Sequence, residues 1–142
     1  MLILPTATTA AMSLPFAAYL LTLSHRVIRA RKSTNTLIGE HSSATGGTDP
    51  LYIAVRAHQN YLETVPTGLL LALLAELNGA NRRVLAYALA GLWVLRVVNV
   101  EAGLRAEGTT GVGRKIGYYG THTWIGAMAA WCVHLTRDYW GY

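Results

Sequence analysis

Two stretches of this chain run about the width of a bilayer without an acidic or basic residue. Positions 2–23 hold no Lys, Arg, Asp or Glu, and neither do positions 116–136. A helix needs about 20 apolar residues to cross the hydrocarbon core, so each run is long enough to span. Two such runs in 142 residues argue against a soluble fold. The pattern between them predicts two more helices. The full expectation is four, over positions 2–31, 51–77, 82–104 and 114–138, forming one all-α membrane domain over 1–142. Pro5 and Pro15 fall inside the first and are expected to bend it. Asp49-Pro50 is a start signal for the second, a capping carboxylate followed by proline in the first turn. Asn78-Gly79 stops that helix and Asn81 can cap the third. The segment HSSATGGTDP (41–50) and the glycine-rich EGTTGVG (107–113) read as loops.

Charge adds orientation. Arg26, Arg29, Arg31 and Lys32 follow the first run, and Arg105, Arg114 and Lys115 flank the third loop. The second loop has Arg82 and Arg83 only. By the positive-inside rule, loops one and three face the cytosol and both termini lie on the other side. No Lys or Arg precedes the first run, so it reads as a retained signal-anchor and not a cleaved signal. Charged residues make up only 13% of the chain, about half the usual soluble content. The net charge of +5 sits at the ends of apolar runs and carries no basic–aromatic interleaving, which argues against nucleic acid. The single cysteine, Cys132, excludes an intrachain disulfide and a CxxC metal site, and reads as a small buried apolar residue. Trp131, Tyr139, Trp140 and Tyr142 are expected to be interfacial anchors.

The second and third helices are not clean spans. Arg56, His58, Asn60 and Glu63 precede what reads as an apolar second half, 64–77. Arg96, Asn99 and Glu101 follow the apolar 84–95. Ionisable groups inside a span are costly and are functional candidates by default. Arg56, Asn60 and Glu63 stand at i, i+4 and i+7, one stripe of a helix. Arg96, Asn99 and Gly103 make a similar stripe, and so do Arg114, Tyr118 and His122. The topology brings all three to the same half of the bilayer, predicting a cation-rich pocket between helices. Glu101 falls on another face and is expected to reach the headgroups, and His58 lies off the stripe. A structural ion-pair network of Arg56, Glu63 and Arg96 is the plainer alternative, as is a backbone hydrogen bond for His122. Pro66 should kink the second helix one turn past its polar stripe.

The string Arg56-Ala57-His58-Gln59-Asn60-Tyr61-Leu62-Glu63 resembles the helix-two signature, roughly RAxxNxxE, of the MAPEG family of membrane-associated proteins in eicosanoid and glutathione metabolism. The resemblance extends to the length and the four-helix layout. It implies a homotrimer that binds glutathione between subunits and takes an apolar substrate from the lipid phase. By the resemblance, Arg56, Asn60 and Glu63 contact glutathione and Arg96 matches a further family Arg; Asn99 and Lys115, which depart from the family pattern, complete the expected binding set. Arg114 and Tyr118 match an Arg near the thiol and an aromatic residue four positions later. Asn99 stands where the family often has His and Gly103 where it often has Tyr, which is expected to remove a wall and a hydroxyl. A guanidinium beside a thiol favours the thiolate, so the expected activity is a glutathione-dependent transferase or peroxidase. A glutathione-independent isomerase or cyclase and a non-enzymatic lipid-binding scaffold are the alternatives. The expected membrane is the endoplasmic reticulum or a bacterial inner membrane.

Overall fold

The computed structural model describes residues 6–42, 49–105 and 111–141. They form four long helices: α1 (Ala7–Thr34), α2 (Pro50–Leu77), α3 (Arg82–Asn99) and α4 (Val112–Leu135). A π-helical turn (Val100–Leu104) extends α3, and a 3₁₀ turn (Arg137–Trp140) follows α4. The four-helix expectation holds, with differences at the ends. α1 runs on to Thr34, α4 starts ahead of Arg114 and ends at Leu135, and the last turn of α3 is wound wider than an α-helix. Pro5, Tyr142 and parts of both predicted loops (43–48 and 107–110) lie outside the described residues.

Local chemistry sets the boundaries as expected. The Asp49 carboxylate accepts from the Leu51 and Tyr52 nitrogens at 2.9 and 3.3 Å, with Pro50 in the first turn. The Ser42 nitrogen and hydroxyl also donate to it, at 2.6 and 2.8 Å. Partial burial pushes the Asp49 carboxyl up, and these donors outweigh it, holding the group below the usual aspartate value. The Asn81 side chain accepts from Arg83 and Val84 at the start of α3. α2 continues through Pro66 as one helix.

α1 packs on α2 and α3, and α4 packs on α3 and α2. Phe16, Leu23, Leu85, Leu89 and Leu92 fill the core between them. Three polar aromatic tips find backbone carbonyls there: Tyr61 donates to Phe16, Trp93 to Pro15 and Trp124 to Ala88. Buried Tyr and Trp need such acceptors where water is absent. The Cys132 thiol, half-buried, points at the Leu71 carbonyl at 3.4 Å. Trp131 packs against the core, and Tyr139 and Trp140 are exposed.

The outer surface is apolar. Leu14, Leu21, Leu70, Val84, Val94 and Val133 are exposed, as suits helices facing lipid. α1, and α3 together with its π turn, are long and apolar enough to cross a bilayer on their own.

Two carboxylates pin α1, and the sequence pattern misjudges both. Glu76 interrupts the supposedly apolar half of α2. It is 5% exposed and accepts from the Thr8 and Thr9 nitrogens at 2.7 and 2.8 Å. Those are orphan donors of the first turn of α1, whose own N-cap Thr6 provides no side-chain acceptor. Glu101 does not reach for headgroups. It turns inward to Arg26 and to the Tyr19 hydroxyl on α1, and to Arg105 one turn on. It does lie off the Arg96–Asn99–Gly103 stripe, as expected, and the face it occupies is one that α1 packs against.

Candidate functional site

The polar stripes of three helices meet around one cavity of about 700 Å³. α2 contributes Arg56, Asn60, Glu63 and Thr64. α3 contributes Arg96 and Asn99. α4 contributes Arg114, Lys115, Tyr118, Tyr119 and His122. Every site residue expected from the sequence is in this wall. The start of α2, the end of α3 and the start of α4 share it, so α3 runs opposite to its two neighbours. The volume is within the range of about 300–1,000 Å³ typical of small-molecule sites. Four cationic side chains face one carboxylate, Glu63, so the lining attracts anions.

Arg96 is the most constrained of the cations. It is 4% exposed, and its two terminal nitrogens donate to the Thr64 hydroxyl at 3.1 Å and the Gly117 carbonyl at 2.8 Å. One guanidinium thereby ties α3 to both α2 and α4. Its Nε has no acceptor among the described residues. Arg56 donates to Gln59 at 2.8 Å, and Gln59 in turn donates to Glu40. Among the described residues no ion pair links Arg56, Glu63 and Arg96, so the structural ion-pair alternative does not hold.

The seam between α3 and α4 places Arg114. A Cβ on Gly103 would lie 2.6 Å from the Arg114 nitrogen and 2.7 Å from its Cα. A Cβ on Gly117 would lie 2.7 Å from the Asn99 Cα. The two helices touch backbone to backbone here, and no larger residue fits without displacement. The Asn99 amide donates to the Arg114 carbonyl at 3.2 Å. Gly103 is therefore not a lost wall of the cavity, as the sequence suggests. It sits behind Arg114 and sets how closely α4 approaches.

On α4 the rings of Tyr118 and His122 lie 4.1 Å apart, and Tyr118 meets Tyr119 edge to face. His122 Nδ1 is 2.9 Å from the Tyr118 carbonyl, the backbone bond weighed from sequence, yet the ring also lines the cavity. Thr64 and Tyr119 were missed. Thr64 follows Asn60 by one turn, so the stripe extended by four would have found it. Tyr119 lies off the α4 stripe and no spacing points to it. His58, half-buried, is not in the cavity wall.

Comparison with known proteins agrees with this architecture. The model of the MAPEG family matches residues 9–134. The chain belongs to the MAPEG family. It is 29% identical over 125 residues to the inner membrane protein YecN of Escherichia coli K12, covering 84% of this chain and 78% of that protein. The YecN of Escherichia coli O6:H1 matches to the same extent. No solved structure matches the chain. With the family model, the four long helices and their apolar surface, this MAPEG chain is a membrane protein of the family concerned with glutathione and eicosanoid metabolism.

Proposed function

We propose that this MAPEG protein is a glutathione-dependent transferase or peroxidase acting on an apolar electrophile. The observation that carries the reading is the convergence of Arg56, Arg96 and Arg114 with Glu63 around one cavity. Glutathione has two carboxylates, an ammonium and a thiol. Arg56 and Arg96 match the carboxylates in forked, charge-assisted geometry. The Arg96 Nε, a buried donor lacking an acceptor, would gain one in a ligand carboxylate. Asn60, Asn99 and Lys115 offer further donors, and Glu63 suits the ammonium.

Arg114 then acts on the thiol. A fixed guanidinium stabilises the thiolate over the thiol and lowers the thiol pKa from about 8.5. The thiolate attacks the electrophile, forming an S–C bond in conjugation while the leaving group departs. In peroxide reduction it attacks the terminal peroxide oxygen instead, the O–O bond breaks and the alcohol leaves with a proton, and the glutathione sulfenic acid condenses with a second glutathione thiol to give the disulfide and water. The Tyr118 hydroxyl stands four residues along the same helix and can donate to the sulfur. The working assembly is a homotrimer with the cavity facing the cytosol, in a bacterial inner membrane if the setting is that of the YecN relatives.

The test is a difference spectrum on adding glutathione to the purified protein. Wild type should gain thiolate absorbance near about 240 nm, and Arg114→Ala should lose it. An undiminished signal in that variant would remove Arg114 from its role. Native mass spectrometry in mild detergent should find three chains and bound glutathione together. Full turnover of an apolar substrate without any thiol would move the assignment to an isomerase or cyclase.

A further inference from the structure

A second cavity, of about 530 Å³, opens on the other side of α2. Its polar wall is Arg26 and Arg29 from α1 and Arg105 just past the π turn. Its floor includes Ile53 and Ala57 from α2 and Val100. α1 ends at Thr34, α2 begins at Pro50 and α3 ends near Leu104, so the cavity lies at one end of the bundle. From Pro50 to Ala57 is about 10 Å of helix axis at 1.5 Å per residue. That depth covers the headgroup layer and the first part of the acyl region.

The charges do not cancel. Glu101 ties Arg26 and Arg105 together but stands behind the wall, leaving three guanidiniums against one carboxylate. The fork of Glu101 fixes the directions of two of the three cations in advance. Among the described residues Arg29 makes one side-chain hydrogen bond, from its Nε to His25 Nε2 at 3.1 Å, and no ion pair, so no carboxylate there offsets its charge. A preset arginine cluster over an apolar floor, at headgroup depth, suits a phosphate attached to something greasy.

The geometry points to a binding site for the phosphate headgroup of an anionic phospholipid, held by Arg26, Arg29 and Arg105. The glyceryl and first acyl carbons lie on Ile53, Ala57 and Val100. This site is separate from the glutathione cavity and stands or falls independently of it. Guanidiniums also bind free phosphate, and the apolar floor is what selects the lipid.

The experiment is native mass spectrometry of the full chain in mild detergent, with phosphatidylglycerol or phosphatidylcholine added. Wild type should retain one phosphatidylglycerol per chain, at least ten-fold more tightly than phosphatidylcholine. Arg29→Glu should erase that preference, while Arg82→Gln, a cation at the opposite end of α3, should keep it. Among the described residues Arg29 is bonded to His25 and not to Glu101, so the variant leaves the Glu101 cluster intact. Equal retention of the two lipids, or an unchanged preference in Arg29→Glu, would overturn the site. Displacement of the lipid by millimolar inorganic phosphate or glycerol 3-phosphate would overturn the lipid as its occupant. The thiolate signal of Arg29→Glu should match wild type, so a failure of the lipid site is distinguishable from a failure of the glutathione reading.

Discussion

Replacing Gly103 by alanine tests the seam that positions Arg114. The added Cβ would sit 2.6 Å from the Arg114 nitrogen, where ordinary contact begins at 3.4 Å. The two nearest atoms are backbone and the third is the Arg114 Cβ, so no flexible side-chain end can swing away, and the first turn of α4 must move by about 0.8 Å. Overpacking of this kind costs about 1–3 kcal/mol. The same move stretches the Asn99–Arg114 hydrogen bond, already 3.2 Å long. Gly91→Ala on the same helix is the matched control, because a Cβ there meets nothing within 4 Å. It should gain about 1 kcal/mol of helix propensity. The pair should therefore differ by about 2–4 kcal/mol. In a chain of this size that is a gap of about 6–12 °C in apparent Tm, measured by thermal unfolding in detergent. If Gly103→Ala melts with Gly91→Ala or above it, the close approach is not real and the account of Arg114 placement is wrong.

Glu76→Ala leaves the Thr8 and Thr9 nitrogens without their acceptor. It should cost about 1–3 kcal/mol and expose the start of α1 to faster amide exchange; unchanged exchange there would refute the capping role. At the start of α2 the pH dependence has a definite sign. The folded Asp49 carboxyl titrates below its ordinary 3.8, so its contribution is complete above that value and fades as pH falls through the folded one. The apparent Tm gap between wild type and Asp49→Asn should hold from pH 7 to about 5 and close below about pH 4. A gap that persists in strong acid would contradict it.

The hydropathy pattern contained most of the fold, because a membrane helix must be apolar over a fixed length and polar interruptions stand out. The same contrast made the cavity legible: Arg56, Asn60 and Glu63 share one face of one helix, and a single angular rule finds them. What stayed hidden depends on partners remote in sequence. Glu76 looks like an interruption until the first turn of α1 lies beside it. Glu101 falls on the expected face, off the stripe, but its partners Tyr19 and Arg26 belong to α1 and no spacing within α3 contains them. Gly103 read as a missing tyrosine, whereas its reason is the backbone of Arg114, and no periodicity within α3 contains that neighbour.

The anchoring of α1 has a consequence for how the protein is made. Tyr19 emerges from the ribosome 82 residues before Glu101, its partner in the folded bundle. At synthesis rates of about 5–20 residues per second, that separation is about 4–16 s. Throughout that interval Tyr19 and Arg26 must be accommodated by lipid headgroups or by the insertion machinery. The first helix thus enters the membrane carrying polar groups whose acceptor has not yet been translated, and the arrival of Glu101 is the step that commits it to the bundle.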